Sequence, residues 1–169
     1  MSSAALASKS ATFDQKAGIK AEDRSKIAGE LGKVLADSYM LFIKTQGVHW
    51  NVVGPTFYSL HKLTEEHYGN LYAAIDEIAE RIRALGEKAP ASYRKYGELS
   101  DIQDYDLEQS AEAHVKMLVD DHRTAVTSMR EAIEWCEDKK DFVTADMLIE
   151  RMSWHEEAIW MLSSIIADK

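Results

Sequence analysis

Apolar residues recur at the period of an α-helix through most of this 169-residue chain, and only two prolines interrupt it. Pro55 and Pro90 both fall between periodic stretches, where a residue lacking an N–H does no harm. The first stretch, residues 24–51, carries Ile27, Leu31, Val34, Leu35, Tyr39, Phe42 and Val48 on one stripe. The second, 57–85, carries Phe57, Leu60, Leu63, Leu71, Ile75, Ile78, Ile82 and Leu85 around a single tolerable glycine, Gly69. A third, from Leu107 to Glu137, aligns Val115, Leu118, His122, Ala125, Met129, Ile133 and Cys136. A fourth, from Phe142 to Ala167, aligns Ala145, Leu148, Ile149, Met152, Glu156, Ile159, Leu162 and Ile166. There is no alternating β-branched run and no Asn-Gly hairpin turn. Four long amphipathic helices can bury their stripes only against one another, so the fold class is an all-α four-helix bundle.

The links set the topology. Val53-Gly54-Pro55-Thr56 is short, as is the link before Phe142, so helices one and two, and three and four, form antiparallel hairpins. The middle link is about twenty residues long and must cross the bundle. It has room for a short helix around Ser92–Tyr96. Ser100, Asp101, Asp104 and Asp106 are the expected caps of the third helix.

At this length the chain makes one domain, expected over residues 23–169, behind a flexible tail over 1–22 that is rich in Ala, Ser and Lys. Hydrophobic residues reach 46%, but no apolar run is long enough for a membrane span. The N-terminus lacks an apolar core of secretory type. The one cysteine, Cys136, sits on an apolar stripe and reads as an inert core thiol, so a reducing cytoplasm is the expected setting.

Polar residues on the second helix carry the chemistry. His61 and Glu65 are spaced i,i+4, as are Asp76 and Glu80. At ~100° per residue all four fall within a stripe ~100° wide. Along the axis, however, Glu65 and Asp76 are roughly 16 Å apart and His61 and Glu80 roughly 28 Å. Metal–ligand bonds are only ~2 Å long, so no single ion spans that gap. Two copies of the helix, antiparallel about a twofold axis, would set His61 and Glu65 of one against Asp76 and Glu80 of the other. In the first hairpin His49 lies opposite the start of the second helix, near His61. Two imidazoles and three carboxylates suit iron(II) or manganese, and the lack of thiolates argues against a closed zinc site. None of the six histidines has Glu three residues before it, so the Glu-x-x-His pairs of an intra-bundle di-iron centre are not encoded. His67, His114, His122 and His155 have no comparable partner sets and read as core or surface residues.

The run HWNVVGPTFYSLHKLTEE, followed by DEIAERIRALG, PASY and HEEAIWML, resembles the Dps family, the mini-ferritins. The resemblance runs from about residue 25 to the C-terminus. It implies a ferritin-like four-helix bundle and a hollow homo-dodecamer built from twofold dimers. It also implies a ferroxidase-type oxidoreductase that oxidises Fe(II), preferably with hydrogen peroxide, and stores ferric mineral while protecting DNA. The family's ligand pattern falls on His49, His61, Glu65, Asp76 and Glu80. Glu65 departs from it, since the family usually has Asp there. Trp50, next to His49, is a candidate electron donor that quenches stray oxidant.

Charge bears on the alternative function. Residues 1–26 hold five basic against three acidic side chains, a net of +2 within a chain of −9, which leaves −11 for the rest. Twelve such tails could bind DNA by avidity in a salt-sensitive way, placing the protein on the nucleoid. The acidic body instead favours drawing in Fe(II), with Asp138, Asp141 and Asp146 as candidate pore residues. A shell of this fold without activity is the third reading.

Overall fold

The computed structural model describes residues 18–105 and 109–167. Five helices follow in order: α1 (Ala21–Asn51), α2 (Phe57–Ala84), α3 (Tyr93–Leu99), α4 (Ala111–Asp138) and α5 (Phe142–Ile165). No strand occurs among the described residues. The four long helices are those the apolar period marks, and α3 is the short helix of the crossover, capped by Ser92. The chain is thus a ferritin-like four-helix bundle with a long crossover. α1 begins at Ala21, two residues ahead of the expected domain start, and most of the expected tail lies outside the described residues.

α1 packs on α2, α4 packs on α5, and α1 also packs on α4, whereas the backbones of α2 and α5 approach each other little. The α1–α2 turn uses Gly54 at φ +102°, where a side chain would be strained. The core falls into two apolar clusters. One holds Leu31, Leu35, Ile78, Ile82, Met129 and Leu148. The other holds Leu41, Val48, Leu60, Leu71, Leu118 and Leu162. Polar side chains lie between them: Asp37 and Ser38 on α1, and His122 on α4.

Asp37 explains how the crossover is held, and corrects its expected caps. Its fully buried carboxylate accepts from Ser100 Oγ (2.7 Å), the Asp101 backbone N–H (2.9 Å) and Ser128 Oγ (2.7 Å). Ser100 and Asp101 therefore fasten the crossover to α1 and α4. Asp101 adds an ion pair to Lys33 at 2.8 Å. The N-cap of α4 is Ser110, whose hydroxyl accepts from the Ala113 N–H. Asp104 accepts from the next residue's N–H, and Asp106 lies outside the described residues.

α5 corrects a second expectation. Its buried face is Thr144, Ala145, Leu148, Arg151, His155, Ala158 and Leu162. Glu156, expected inward, is exposed and pairs with Arg130 at 3.2 Å, and Ile149 is about half exposed. Cys136 is buried, and burial pushes its thiol up to about 12, so it is inert as a nucleophile at neutral pH. No helix among the described residues is long and apolar enough to cross a membrane.

Candidate metal centre

His49 comes from the last turn of α1 and His61 from the second turn of α2, and the tight link between them stacks the two rings. Their centroids are 3.9 Å apart at 15°. The bonding is reciprocal: His49 Nδ1–H donates to the His61 carbonyl at 2.8 Å, and His61 Nδ1–H donates to the His49 carbonyl at 3.0 Å. A carbonyl only accepts, so both Nδ1 atoms carry protons. In the neutral rings the free lone pair is then on Nε2 of each. Metal-binding histidines are commonly oriented in this way, by a second-nitrogen bond to a backbone carbonyl. Tyr68 packs edge-on to His49 and Phe57 stacks on His61 (5.1 Å each), which fixes the rings further.

Glu65 lies one turn beyond His61 and takes an ion pair from Lys62 at 2.7 Å. The Lys62 ammonium holds its carboxyl below the usual carboxylate range, and His49 and His61 add smaller pulls in the same direction. Asp76 and Glu80 are exposed on α2, three and four turns further along. The chain thus brings together His49 and His61, leaves Glu65 one turn beyond in its ion pair with Lys62, and sets Asp76 and Glu80 apart from them. Among the described residues, no three histidine, cysteine or acidic side chains of one chain are placed to hold a metal ion.

The surface around these groups is apolar. Trp50, beside His49, is 67% exposed, and Ile43 of α1, Val53 of the link, and Phe57, Tyr58 and Tyr72 of α2 are exposed as well. A groove of about 550 Å³ runs beside Asp76, walled by Tyr39, Tyr72, Ala79, Pro90 and Tyr96. Tyr39 and Tyr96 stack in it at 4.4 Å.

Of the three aspartates expected at a pore, the structure removes one. Asp141 is 2% exposed, caps α5 by accepting from the Thr144 N–H, and pairs with Arg81 at 2.7 Å. Its carboxylate is committed to the fold. Asp138 and Asp146 remain exposed, Asp138 in an ion pair with Lys139.

Sequence reasoning passed over a further group. His67, His122 and His155 are buried together between α2, α4 and α5, with Trp154 among them. Their positions on three different helices leave no local spacing to read.

The comparisons with known proteins agree with this fold. The family model of the ferritin-like domain matches residues 28–169. A low temperature-induced protein of Nostoc is 41% identical over 151 residues, covering 88% of this chain and 84% of that one. DNA protection during starvation protein 2 of Bacillus anthracis is 35% identical over 136 residues, covering 80% and 93%. The crystal structure of a Dps protein from Vibrio cholerae, described as a member of a broad superfamily of ferritin-like diiron-carboxylate proteins, superposes with a TM-score of 0.87 at 26% identity, covering 95% of this chain and all of that one. With the fold, the helix order and the extent of these matches in agreement, the chain belongs to the Dps family of ferritin-like proteins.

Proposed function

We propose that this protein oxidises Fe(II) and stores the ferric product, at sites shared between two copies of the chain. The observation that carries this reading is the reciprocal bonding of His49 and His61, which leaves an Nε2 lone pair free on each ring, with Glu65 one helical turn beyond His61. Asp76 and Glu80 are the complementary half-site, supplied by a second copy packed antiparallel about a twofold axis. The exposed apolar side chains around His49 support such a cover, since a patch of this kind on a soluble chain marks an interaction surface. The family's diiron-carboxylate chemistry, as described for the Vibrio cholerae protein, supports iron as the substrate.

In this reading two Fe(II) ions each give one electron to hydrogen peroxide. The O–O bond breaks and both oxygens leave as hydroxide or water, so no hydroxyl radical escapes. The carboxylates offset the charge gained by the ions, and the imidazoles hold them in place. Trp50 stands next to His49 as a donor for any stray oxidant. The ferric ions then hydrolyse to hydrous ferric oxide inside a hollow dodecamer in the cytoplasm, and the net charge of −9 per chain draws Fe(II) toward it.

Anaerobic Fe(II) titration followed by peroxide, on protein whose assembly has been sized, tests this. About two irons per chain are expected to be oxidised. Asp76→Ala with Glu80→Ala should drop the rate to that of protein-free solution; a rate equal to the parent would overturn the reading.

A second reading, DNA binding by the N-terminal tail, has support from the basic balance of residues 1–26 and from the name of the Bacillus anthracis relative. The fold takes part of that charge for itself. Arg24 donates to the carbonyls of Leu85 and Ile19, and the Lys26 ammonium stands 5.0 Å from the Trp135 ring centre. Lys9, Lys16 and Lys20 would carry the contact. A gel shift at low salt that is unchanged by removal of residues 1–22 would rule the tail out.

A further inference from the structure

The waist of the bundle holds three histidines from three helices, away from the His49–His61 face. His67 of α2, His122 of α4 and His155 of α5 are 3%, 0% and 0% exposed. The His67 and His122 ring centres are 5.8 Å apart, and those of His122 and His155 are 5.0 Å apart. Trp154 packs edge-on or tilted against all three. They fill the space where the backbones of α2 and α5 approach each other little.

Their hydrogen bonding is incomplete. His122 Nδ1 and His155 Nδ1 are 2.8 Å apart and share one proton. The Nε2 atoms of both rings, and both nitrogens of His67, have no partner. Four buried imidazole nitrogens are therefore unsatisfied in one place. A native interior rarely keeps such groups without an ion, a water or a function to account for them. Burial holds the rings neutral: His67 titrates at about 4, His122 at about 3, and His155 well below the ordinary value. Their lone pairs are thus available throughout the neutral range.

We propose that His122 and His155, joined by His67, bind a nitrogen-preferring divalent transition metal, Cu(II) above all, inside the bundle of each chain. The two Nδ1 atoms stand 2.8 Å apart in a hydrogen bond, and each ring would turn its lone pair from the other ring toward an ion with bonds of ~2.0 Å to hold it in the cis relation of tetragonal Cu(II). Binding needs the Nδ1 proton to move to Nε2 of the same ring, with no net proton release from the neutral pair. No three such side chains yet converge among the described residues. Completing the set requires His67 to turn, and its ring has no hydrogen bond to break. An all-imidazole set favours Cu(II) over Fe(II) and Mn(II), and so separates this site from the carboxylate-rich interface. Arg151 opposes a cation: its guanidinium lies 4.7 Å over Trp154 and its charge lowers the pKa of His122 and His155. It is held back by a 2.6 Å bond to Asn70 Oδ1. The three-nitrogen donor set must outweigh that repulsion.

The test uses full-length protein carrying His49→Asn and His61→Asn, which removes the surface imidazole pair, stripped of metal and titrated with Cu(II) alone. One Cu(II) per chain is expected, with an electron paramagnetic resonance spectrum split by at least two nitrogens. Adding His122→Gln and His155→Gln should weaken binding at least a hundredfold. In the otherwise native chain the same pair should leave Fe(II) oxidation unchanged. Equal Cu(II) affinity with and without the pair would overturn the proposal. If the pair variant fails to fold, the parent spectrum decides alone: no bound Cu(II), or fewer than two nitrogens, overturns it. Either failure leaves the interface reading untouched, because no residue is shared.

Discussion

Two hydrogen bonds decide what His49 and His61 can do. Each ring spends its Nδ1–H on the other residue's carbonyl, so the bonds that brace the α1–α2 corner also orient the Nε2 lone pairs. Structure and ligand function are therefore separable by substitution. Asn at position 61 keeps an N–H where Nδ1–H stands and offers no nitrogen lone pair in place of Nε2. His61→Asn should leave thermal stability within about 1 kcal/mol of the parent. It should lower the rate of Fe(II) oxidation about tenfold or more, since the ligand itself is lost. Stopped-flow absorbance of ferric product on folded, sized protein reads this, and a parental rate would remove His61 from the centre. The His61 and Glu65 positions were legible in the sequence because i,i+4 on a helix is a fixed geometry. The role of Asp141 was not. An aspartate in a polar link reads as solvated, and only the packing of α2 on α5 brings Arg81 to within 2.7 Å of it.

α1, α2 and α4 announce their buried faces because their apolar residues keep to one stripe. α5 does not. Phe142, Val143, Ile149 and Trp160 are all exposed, so apolar residues lie on several of its faces and the stripe can be drawn in the wrong register. That is why Glu156 was expected inside and why Arg151 and His155 were missed: polar residues carry no apolar signal even when buried. The consequence is a pH dependence. His67, His122 and His155 are neutral in the fold, with values lowered to about 4, to about 3 and well below normal, each chiefly by burial. In the unfolded chain they titrate near the ordinary value of about 6.5. Between these limits the unfolded state binds more protons, so stability is full above pH ~6.5 and falls as the pH drops toward 4. The slope is at most about 1.4 kcal/mol per pH unit for each histidine involved. His67→Leu should flatten the denaturation midpoint between pH 6.5 and 4 by one histidine's share. Urea unfolding across that range measures it, and an unchanged slope would show that His67 is not held neutral.

At the scale of the whole molecule, one chain carries two groups of ligand-type side chains that it cannot join, the half-sites of the proposed centre. The imidazoles and Glu65 sit at one end of α2, with Asp76 and Glu80 roughly 16 Å or more along it. This separation was readable from helix rise alone, whereas the apolar rim that would seal two copies together emerged only when α1 was laid against α2. Ile43 and Trp50, seven residues apart on α1, are exposed with Phe57 and Tyr72 of α2. If the centre is built between chains, two inactive variants can repair each other. A chain with His61→Asn keeps its acid pair, and a chain with Asp76→Ala and Glu80→Ala keeps its histidines. In a mixed dimer one site receives both defects and the other receives none. Random pairing makes about half the dimers mixed, so a co-expressed 1:1 hybrid should recover about a quarter of the parental centres. Separately made and blended proteins that do not exchange subunits should recover none. A centre contained within one chain predicts no recovery in either preparation. Peroxide-driven Fe(II) oxidation per chain, compared between hybrid and blend, therefore separates an assembled site from a single-chain one without breaking the interface on which it depends.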